Sequence, residues 1–128
     1  MKENKISIVI DKPVAIVFDF TINPSNTPKW IDHLIKEETN EYPPRIGTIY
    51  RNRGLVENWD EYYVSEIKEN LLFELTSKDG VYHVRYNYKP LSENQTEMEY
   101  YEWMNEGELG TPFSIEVLEK LKAVVEEM

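Results

Sequence analysis

The chain ends with residues 111–128, TPFSIEVLEKLKAVVEEM, and this stretch has the clearest helical pattern in the sequence. Thr111 is a typical N-cap residue, and Pro112 suits the first helical position that follows it. Apolar residues then recur at helical spacing and form one stripe: Val117, Leu118, Leu121, Val124, Val125 and Met128. A helix with so wide an apolar stripe must bury it against another part of the fold.

The part of the chain before this helix has the pattern of β-strands joined by short turns. Residues 78–80, Lys-Asp-Gly, predict a hairpin because Asp-Gly readily adopts positive φ, and residues 92–94 predict a second turn. Connections this short favour antiparallel neighbours. The concave face of such a sheet is the only large surface available to cover the helix. We expect strands at residues 47–53, 58–67, 71–77, 81–89 and 95–104.

The first part of the chain predicts one strand and two short helices. Residues 5–10 alternate apolar and polar side chains, which is typical of a strand. Pro13 suits the first turn of a short helix that ends at the turn cluster of residues 23–26. Thr27 and Pro28 predict the N-cap and the first turn of a second helix.

The length of 128 residues fits a single domain, residues 1–128. The net charge of that domain indicates which classes of partner it can bind. With 14 basic and 24 acidic residues, the formal charge of −10 repels nucleic acids and anionic lipid surfaces. The densest basic group is Arg45, Arg51 and Arg53, which is too small for a nucleic-acid interface. We therefore expect no nucleic-acid partner.

The absence of cysteine and of long apolar runs indicates where the protein works. Without cysteine there are no disulfides and no thiolate metal ligands, which is typical of the reducing cytoplasm. No segment has an apolar run long enough for a signal peptide or a membrane span. We therefore expect a cytoplasmic protein with no membrane insertion.

The order of the predicted elements and several short stretches resemble the START-like superfamily, also called SRPBCC or helix-grip proteins. The stretches are residues 8–19 (IVIDKPVAIVFD), 23–30 (NPSNTPKW), 46–50 (IGTIY) and the final helix at 113–125. The resemblance implies an α+β fold in which a curved antiparallel β-sheet carries two short helices. A long C-terminal helix is then packed on the concave face of that sheet.

This resemblance covers the whole chain and implies more than one function. The superfamily includes polyketide cyclases and dehydratases, lipid-transfer domains, plant hormone receptors and chaperone-activating modules. A shared fold does not decide among these activities.

A pocket in this fold lies between the concave face and the last helix, and strand periodicity predicts which side chains face it. In residues 81–89, the alternate set with Tyr82, Tyr86 and Tyr88 is the more apolar one, so we expect it to point inward. Alternatively, these three tyrosines fill a solid aromatic core, and Trp30 packs the second helix onto the sheet. The predicted ligand-binding residues are Trp30, Tyr50, Tyr62, Phe73, Leu75, Tyr82, Tyr86, Tyr88, Met98, Tyr100, Leu118 and Leu121.

The same register turns two carboxylates, Asp60 and Glu102, toward the cavity. Burial raises the pKa of a carboxyl group, which is one way to make a general acid or base. Tyr86 and His33 complete the candidate catalytic residues. A slip of one residue in register would send both carboxylates to solvent, and His33 also fits an exposed helix position.

Other chemistries lack the residues that they need. His33 and His83 are not at a short metal-ligand spacing, so we expect no metal site and no cofactor. The polar connection at residues 36–44 includes Glu37 and Glu38, and a solvated strand edge explains these two acids simply.

Three functions remain open. The first is a binding or carrier domain for a small hydrophobic or aromatic molecule. The second is an enzyme resembling the polyketide cyclases and dehydratases, as a cofactor-independent lyase or isomerase. The third is a protein-interaction module of the chaperone-activator type, using an outer face with Trp59, Tyr63, Tyr101 and Trp103. A homodimer interface is a simpler use of that outer face.

Overall fold

The computed structural model describes residues 2–128, which form a seven-stranded antiparallel sheet, two α-helices and one 3₁₀ helix. The strand order across the sheet is β1-β7-β6-β5-β4-β3-β2. This arrangement is the predicted helix-grip architecture, and the fold class is confirmed. The elements are β1 (Glu3–Ile10), α1 (Val14–Ile22), the 3₁₀ helix (Pro24–Lys29), β2 (Lys36–Thr39), β3 (Ile49–Arg53), β4 (Asp60–Lys68), β5 (Leu72–Ser77), β6 (Tyr82–Ser92), β7 (Gln95–Met104) and α2 (Ile115–Glu126).

The central strands bury alternate side chains on the concave face. Val84, Tyr86 and Tyr88 of β6 are buried, and Tyr100 and Met98 of β7 are paired with the last two of these. The intervening residues of both strands stay partly exposed. Because successive strand residues point to opposite faces, the more apolar alternate set identifies the concave face. The predicted register of these two strands is therefore correct.

The helix α2 lies on the concave face beside β1, and polar contacts fix its C-terminal half. Lys122 Nζ donates a hydrogen bond to the Val9 carbonyl oxygen at 2.8 Å. Glu126 Oε2 accepts one from the Asp11 backbone N–H at 2.7 Å. The fully buried residues of the helix are Leu118, Leu121 and Val125. Within residues 2–128, no helix is both long and apolar enough to cross a bilayer.

The first residue of α2 differs from the sequence-based prediction. Thr111 and the proline after it lie in a loop, and Ser114 occupies the N-cap position. The backbone of Phe113 is held by distant partners, since its N–H donates to Glu102 Oε2 at 2.8 Å and its carbonyl oxygen accepts from Asn4 Nδ2 at 2.8 Å. These long-range bonds prevent an earlier helix start, although the local capping signal is good.

The second short helix also begins elsewhere than predicted. It is a 3₁₀ helix capped by Asn23, whose Oδ1 accepts from the Ser25 backbone N–H at 3.0 Å. Thr27 does not cap it, because its hydroxyl is bonded elsewhere. Trp30 and Ile31 follow the 3₁₀ helix and are buried. The turn cluster therefore starts the helix instead of preceding it.

The sequence pattern predicted neither one edge strand nor the full length of another strand, because polar residues or a proline occur there. The polar connection at residues 36–44 contains β2, an edge strand that pairs with β3. β6 continues through Pro90 to Ser92, and its pairing with β7 shifts register between these two residues. Proline lacks the N–H that a strand ladder needs, so an irregularity at this point is expected.

A pair of truncations in α2 tests how the helix is packed. Leu118→Ala should lower the free energy of unfolding by about 2–5 kcal/mol, because Leu118 is fully buried in the core. Val117→Ala should lower it by about 1 kcal/mol or less, because Val117 is only partly buried and borders open space. Urea unfolding monitored by circular dichroism measures both changes. Equal losses for the two variants would contradict this packing.

Candidate functional site

A cavity of about 840 Å³ lies between the concave face of the sheet and the N-terminal half of α2. The loop before α2 forms one wall, and the residues after the 3₁₀ helix form another. The cavity is open there because α2 is bonded to β1 at its other end. Its aromatic lining residues are Trp30, Tyr62, Phe73, Tyr82, Tyr86, Tyr100 and Phe113.

Contacts between rings hold the aromatic walls in place. Phe113 is stacked on Tyr100, with ring centroids 4.4 Å apart. Trp30 meets Phe113 and Tyr86 edge to face, at 6.3 and 6.2 Å. Phe73 meets Tyr86 in the same manner at 6.0 Å. These are favourable geometries for aromatic pairs, so the walls are preorganised. Phe113 was not predicted at this site, because the sequence placed it in a helix.

Glu102 is the most buried carboxylate of the cavity, with 2% of its surface exposed. Its Oε2 accepts hydrogen bonds from Asn4 Nδ2 at 2.9 Å and from the Phe113 N–H at 2.8 Å. Its Oε1 accepts from the Tyr82 hydroxyl at 2.8 Å. Burial, together with the charge of Glu102, raises the pKa of Tyr82, so this phenol remains a hydrogen-bond donor. Because all three donors come from the chain itself, Glu102 is a positioning residue that holds the cavity wall in place.

Glu37 is a cavity residue that sequence reasoning missed. Its Oε1 accepts from the Thr27 hydroxyl at 2.6 Å, and its Oε2 accepts from Asn52 Nδ2 at 3.1 Å. Burial raises the pKa of the Glu37 carboxyl, while the bonds from Thr27 and Asn52 oppose that rise. Glu37 had been assigned to a solvated strand edge, and only Glu38 fits that description. The strand alternation of β2 could have separated the two acids, but so short and polar a strand gives little signal.

The four candidate catalytic residues all line the cavity, but they are not assembled into an acid–base pair. Asp60 and His33 lie at its exposed rim, whereas Glu102 and Tyr86 are buried. Burial raises the pKa of Tyr86, with a smaller contribution from the charge of Glu37. Across residues 2–128, no hydrogen bond joins any two of the four candidates.

His33 lies in a turn instead of the predicted helix. This turn packs closely on Gly54, where an added Cβ would lie 2.6 Å from the His33 carbonyl oxygen. Glycine at position 54 therefore permits the close approach of the turn that forms the mouth of the cavity.

Seven of the twelve predicted ligand-binding residues line the cavity, and five lie in the core outside it. Tyr50 donates its hydroxyl to the Ile22 carbonyl oxygen at 2.7 Å, and the Tyr88 hydroxyl is 2.6 Å from Thr21 Oγ1. Both tyrosines are therefore turned toward α1, which fills one end of the concave face. These two residues are part of the buried core. The five are Tyr50, Tyr88, Met98, Leu118 and Leu121.

Trp30 combines both of the roles considered for it. It packs the end of the 3₁₀ helix onto the sheet with 1% of its surface exposed, and it lines the cavity. Its indole Nε1 has no hydrogen-bond partner among residues 2–128. A buried donor without a partner is unfavourable.

The outer face of the sheet carries two separate aromatic groups. Trp103 stacks on His83 and on Tyr101, each at 4.8 Å between centroids. Trp59 lies under the guanidinium groups of Arg51 and Arg53, at 4.4 and 5.5 Å. The use of this face by a protein partner or a second copy stays a prediction. In the described part of the chain, no three His, Asp or Glu side chains converge in a way that could hold a metal ion.

Comparisons with known proteins identify the fold. No protein-family model matches the chain, and no curated protein matches its sequence. A conserved protein of unknown function from Enterococcus faecalis superimposes with a TM-score of 0.77 at 19% identity, covering 97% of this chain and 71% of that one. The Aha1 dimer from Colwellia psychrerythraea superimposes with a TM-score of 0.71 at 14% identity, covering 98% of this chain and 97% of that one. A polyketide-cyclase-like protein from Corynebacterium glutamicum superimposes with a TM-score of 0.59 at 22% identity, covering 82% of this chain and 67% of that one.

These likenesses confirm the predicted fold. The chain has the helix-grip fold that the sequence predicted, and proteins with different names share it. At such low identity the fold carries no assignment of activity, so function has to be argued from the cavity.

Substituting Glu37 tests whether its carboxylate is desolvated. A raised pKa in the folded state means that burial of the charged form reduces stability above the ordinary value of 4.5. This destabilisation is absent below the ordinary pKa and complete above the raised one. Glu37→Gln should therefore raise the unfolding temperature at pH 7.5 and raise it less at pH 4. Differential scanning fluorimetry across that range measures the change.

Glu38→Gln is the matched control for this test. Glu38 is the next residue of β2, and its carboxylate pairs with Arg51 on the opposite face of the sheet. Its substitution should bring no gain in unfolding temperature at either pH. If Glu37→Gln destabilises the protein equally at both pH values, the carboxylate of Glu37 is not desolvated.

Proposed function

We propose that this protein binds a small, mainly apolar molecule in the cavity between sheet and α2 and serves as a binding or carrier domain. The observation that carries this proposal is the aromatic-lined cavity of about 840 Å³. Pockets for small molecules typically have volumes of about 300–1,000 Å³ and are lined by apolar and aromatic side chains. The cavity is open at its rim, where the exposed residues Asp60, Glu116 and Lys120 line it, so a small molecule can enter from solvent.

A few polar groups in the cavity are available to orient that occupant. The hydroxyls of Tyr62 and Tyr86 make no hydrogen bond within residues 2–128. Burial, then the charges of Asp60 and Glu37, raises the pKa of Tyr62 to about 12, so its hydroxyl remains protonated at neutral pH. A mainly apolar wall with a few unpaired polar groups is the usual construction of a small-molecule site.

The second candidate function is a cofactor-independent lyase or isomerase that resembles the cyclases and dehydratases. Glu37 favours it, because a carboxyl with a raised pKa beside a cavity is suited to general acid–base catalysis. The polyketide-cyclase-like protein from Corynebacterium glutamicum shares the fold and makes such chemistry a reasonable alternative. The two functions differ in one respect: only the enzyme would convert its ligand into a product, and it would need Glu37 for that turnover.

Binding of a neutral fluorescent probe tests the first proposal. N-phenyl-1-naphthylamine is apolar and uncharged at neutral pH, and its emission increases in an apolar site. We expect saturable binding of one molecule per chain, with a Kd on the order of 1–100 μM. Val117→Trp should weaken binding about tenfold or more, because Val117 lines the cavity and the larger side chain would fill it.

The matched control is Val124→Trp, on the same helix. Val124 is partly buried against the core, and it does not line the cavity. This variant should bind the probe with a Kd within about twofold of the wild type. Absence of saturable binding to the wild-type protein would overturn the proposal, and so would equal weakening by both tryptophan substitutions.

A further inference from the structure

The charged side chains that line the cavity are mostly acidic, and one of the few cations among them is already paired. Lys120 at the mouth forms an ion pair with Asp32. The remaining cationic candidate is His33, which lies at the exposed rim. No ion pair within residues 2–128 involves the other acidic lining residues, which are Glu37, Asp60, Glu102 and Glu116.

The basic residues nearest in sequence lie on the other side of the sheet. Arg51 of β3 pairs with Glu38 there, and the guanidinium groups of Arg51 and Arg53 both lie over Trp59. Side chains alternate between the two faces, so neither arginine neutralises the carboxylates inside. The excess of acidic over basic side chains in the cavity therefore follows from the strand register.

Two of the acids flank an amide in one row across the sheet. Glu37 of β2 is paired with Asn52 of β3, and Asn52 is paired with Asp60 of β4. Neighbouring strands lie about 4.8 Å apart, so the row places the two carboxylates on either side of a single residue. Glu37 accepts hydrogen bonds from Asn52 and Thr27, whereas Asp60 has no hydrogen bond or ion pair in the described chain.

The aromatic lining gives an observation that is independent of these charges. The partly exposed rings of Tyr62 and Tyr82 line the same cavity, and the faces of aromatic rings attract cations. Aromatic faces, apolar walls and the carboxylates of Glu37 and Asp60 in one cavity together indicate a ligand with a positive charge on an apolar body.

We propose that the ligand is a protonated amine carried by an apolar, ring-containing body, with the ammonium group held by Glu37 and assisted by Asp60. This inference rests on the proposed binding function and assigns the class of its ligand. Glu37 is placed to form a charge-assisted hydrogen bond with the ammonium group, which is stronger than a bond between neutral groups. A carboxylate or phosphate of the same shape would meet only negative charge at this row.

Three ligands of equal size and different charge test the proposal: 4-phenylbutylamine, 4-phenylbutan-1-ol and 4-phenylbutanoate. Each is titrated at pH 7.5 against wild-type protein that holds N-phenyl-1-naphthylamine. The amine should displace the probe at a concentration about tenfold below that of the alcohol, because an ionic hydrogen bond replaces a neutral one. The carboxylate should be the weakest of the three.

Variants then test whether the row of Glu37, Asn52 and Asp60 causes the difference in affinity between the amine and the alcohol. Glu37→Gln should weaken binding of the amine about tenfold and change the affinity for the alcohol by less than about twofold. Asp60→Asn, at an exposed position that tolerates substitution, should weaken the amine by a smaller factor. Glu38→Gln, on the opposite face, should leave all three ligands unchanged.

The outcomes distinguish failure of this inference from failure of the proposed function. If the neutral probe binds but the carboxylate displaces it as well as the amine does, the ligand class is wrong and the binding function stands. Equal loss of amine and alcohol affinity in Glu37→Gln would also overturn the inference. If the probe itself does not bind to the wild-type protein, the proposed function fails first.

Discussion

The carboxylate of Glu102 is the group on which the shape of the cavity depends. It accepts hydrogen bonds from Asn4 of β1, from Tyr82 of β6 and from the backbone of Phe113 in the loop before α2. A buried carboxylate needs such donors, because an uncompensated charge in the interior is strongly disfavoured. The acid and its three donors therefore hold one another in place, and the loop is kept as a wall of the cavity instead of becoming the first turn of the helix.

The two helices fill the concave face unequally, and this leaves space between them. α1 covers one end, where Phe18 meets Tyr88 edge to face at 5.2 Å and Thr21 bonds to the Tyr88 hydroxyl. α2 is fixed by its C-terminal half, through the bond of Lys122 to β1 and the bond of Glu126 to the residue that follows β1. The middle of the sheet is left to aromatic side chains that contact one another around an open volume. The same tyrosine-rich strands therefore supply core at one end and cavity wall at the other.

Periodicity predicted the parts of this structure that depend on local residues, and it failed where distant partners decide. The inward face of β6 followed from the alternation of Tyr82, Val84 and Tyr86, because side-chain direction in a strand depends only on register. The start of α2 did not, since bonds from residues 4 and 102 hold Phe113 out of the helix. Capping signals describe only the local chain and contain no information about such contacts.

The candidate site shows the same division. The acids Asp60 and Glu102 were found because they lie in strands with clear alternation, and both line the cavity. Glu37 was missed because β2 is short and polar, so nothing in residues 36–39 marks one acid as inward and its neighbour as outward. Tyr88 and Tyr50 share the face of the lining tyrosines, but the position of α1 turns their part of the face into core. Strand register predicts the face, and only tertiary packing decides how that face is used.

Several unfavourable features of the chain occur together in this cavity. An open volume reduces packing, a desolvated carboxylate at Glu37 has a raised pKa, and the indole N–H of Trp30 lacks an acceptor. Each could be relieved by a different substitution, such as a larger side chain, an amide or a phenylalanine. One occupant with an apolar body and a positive charge would relieve the first two of them without any substitution. The open volume and the carboxylate of Glu37 occur at the same place, and this is the physical argument for the proposed binding function.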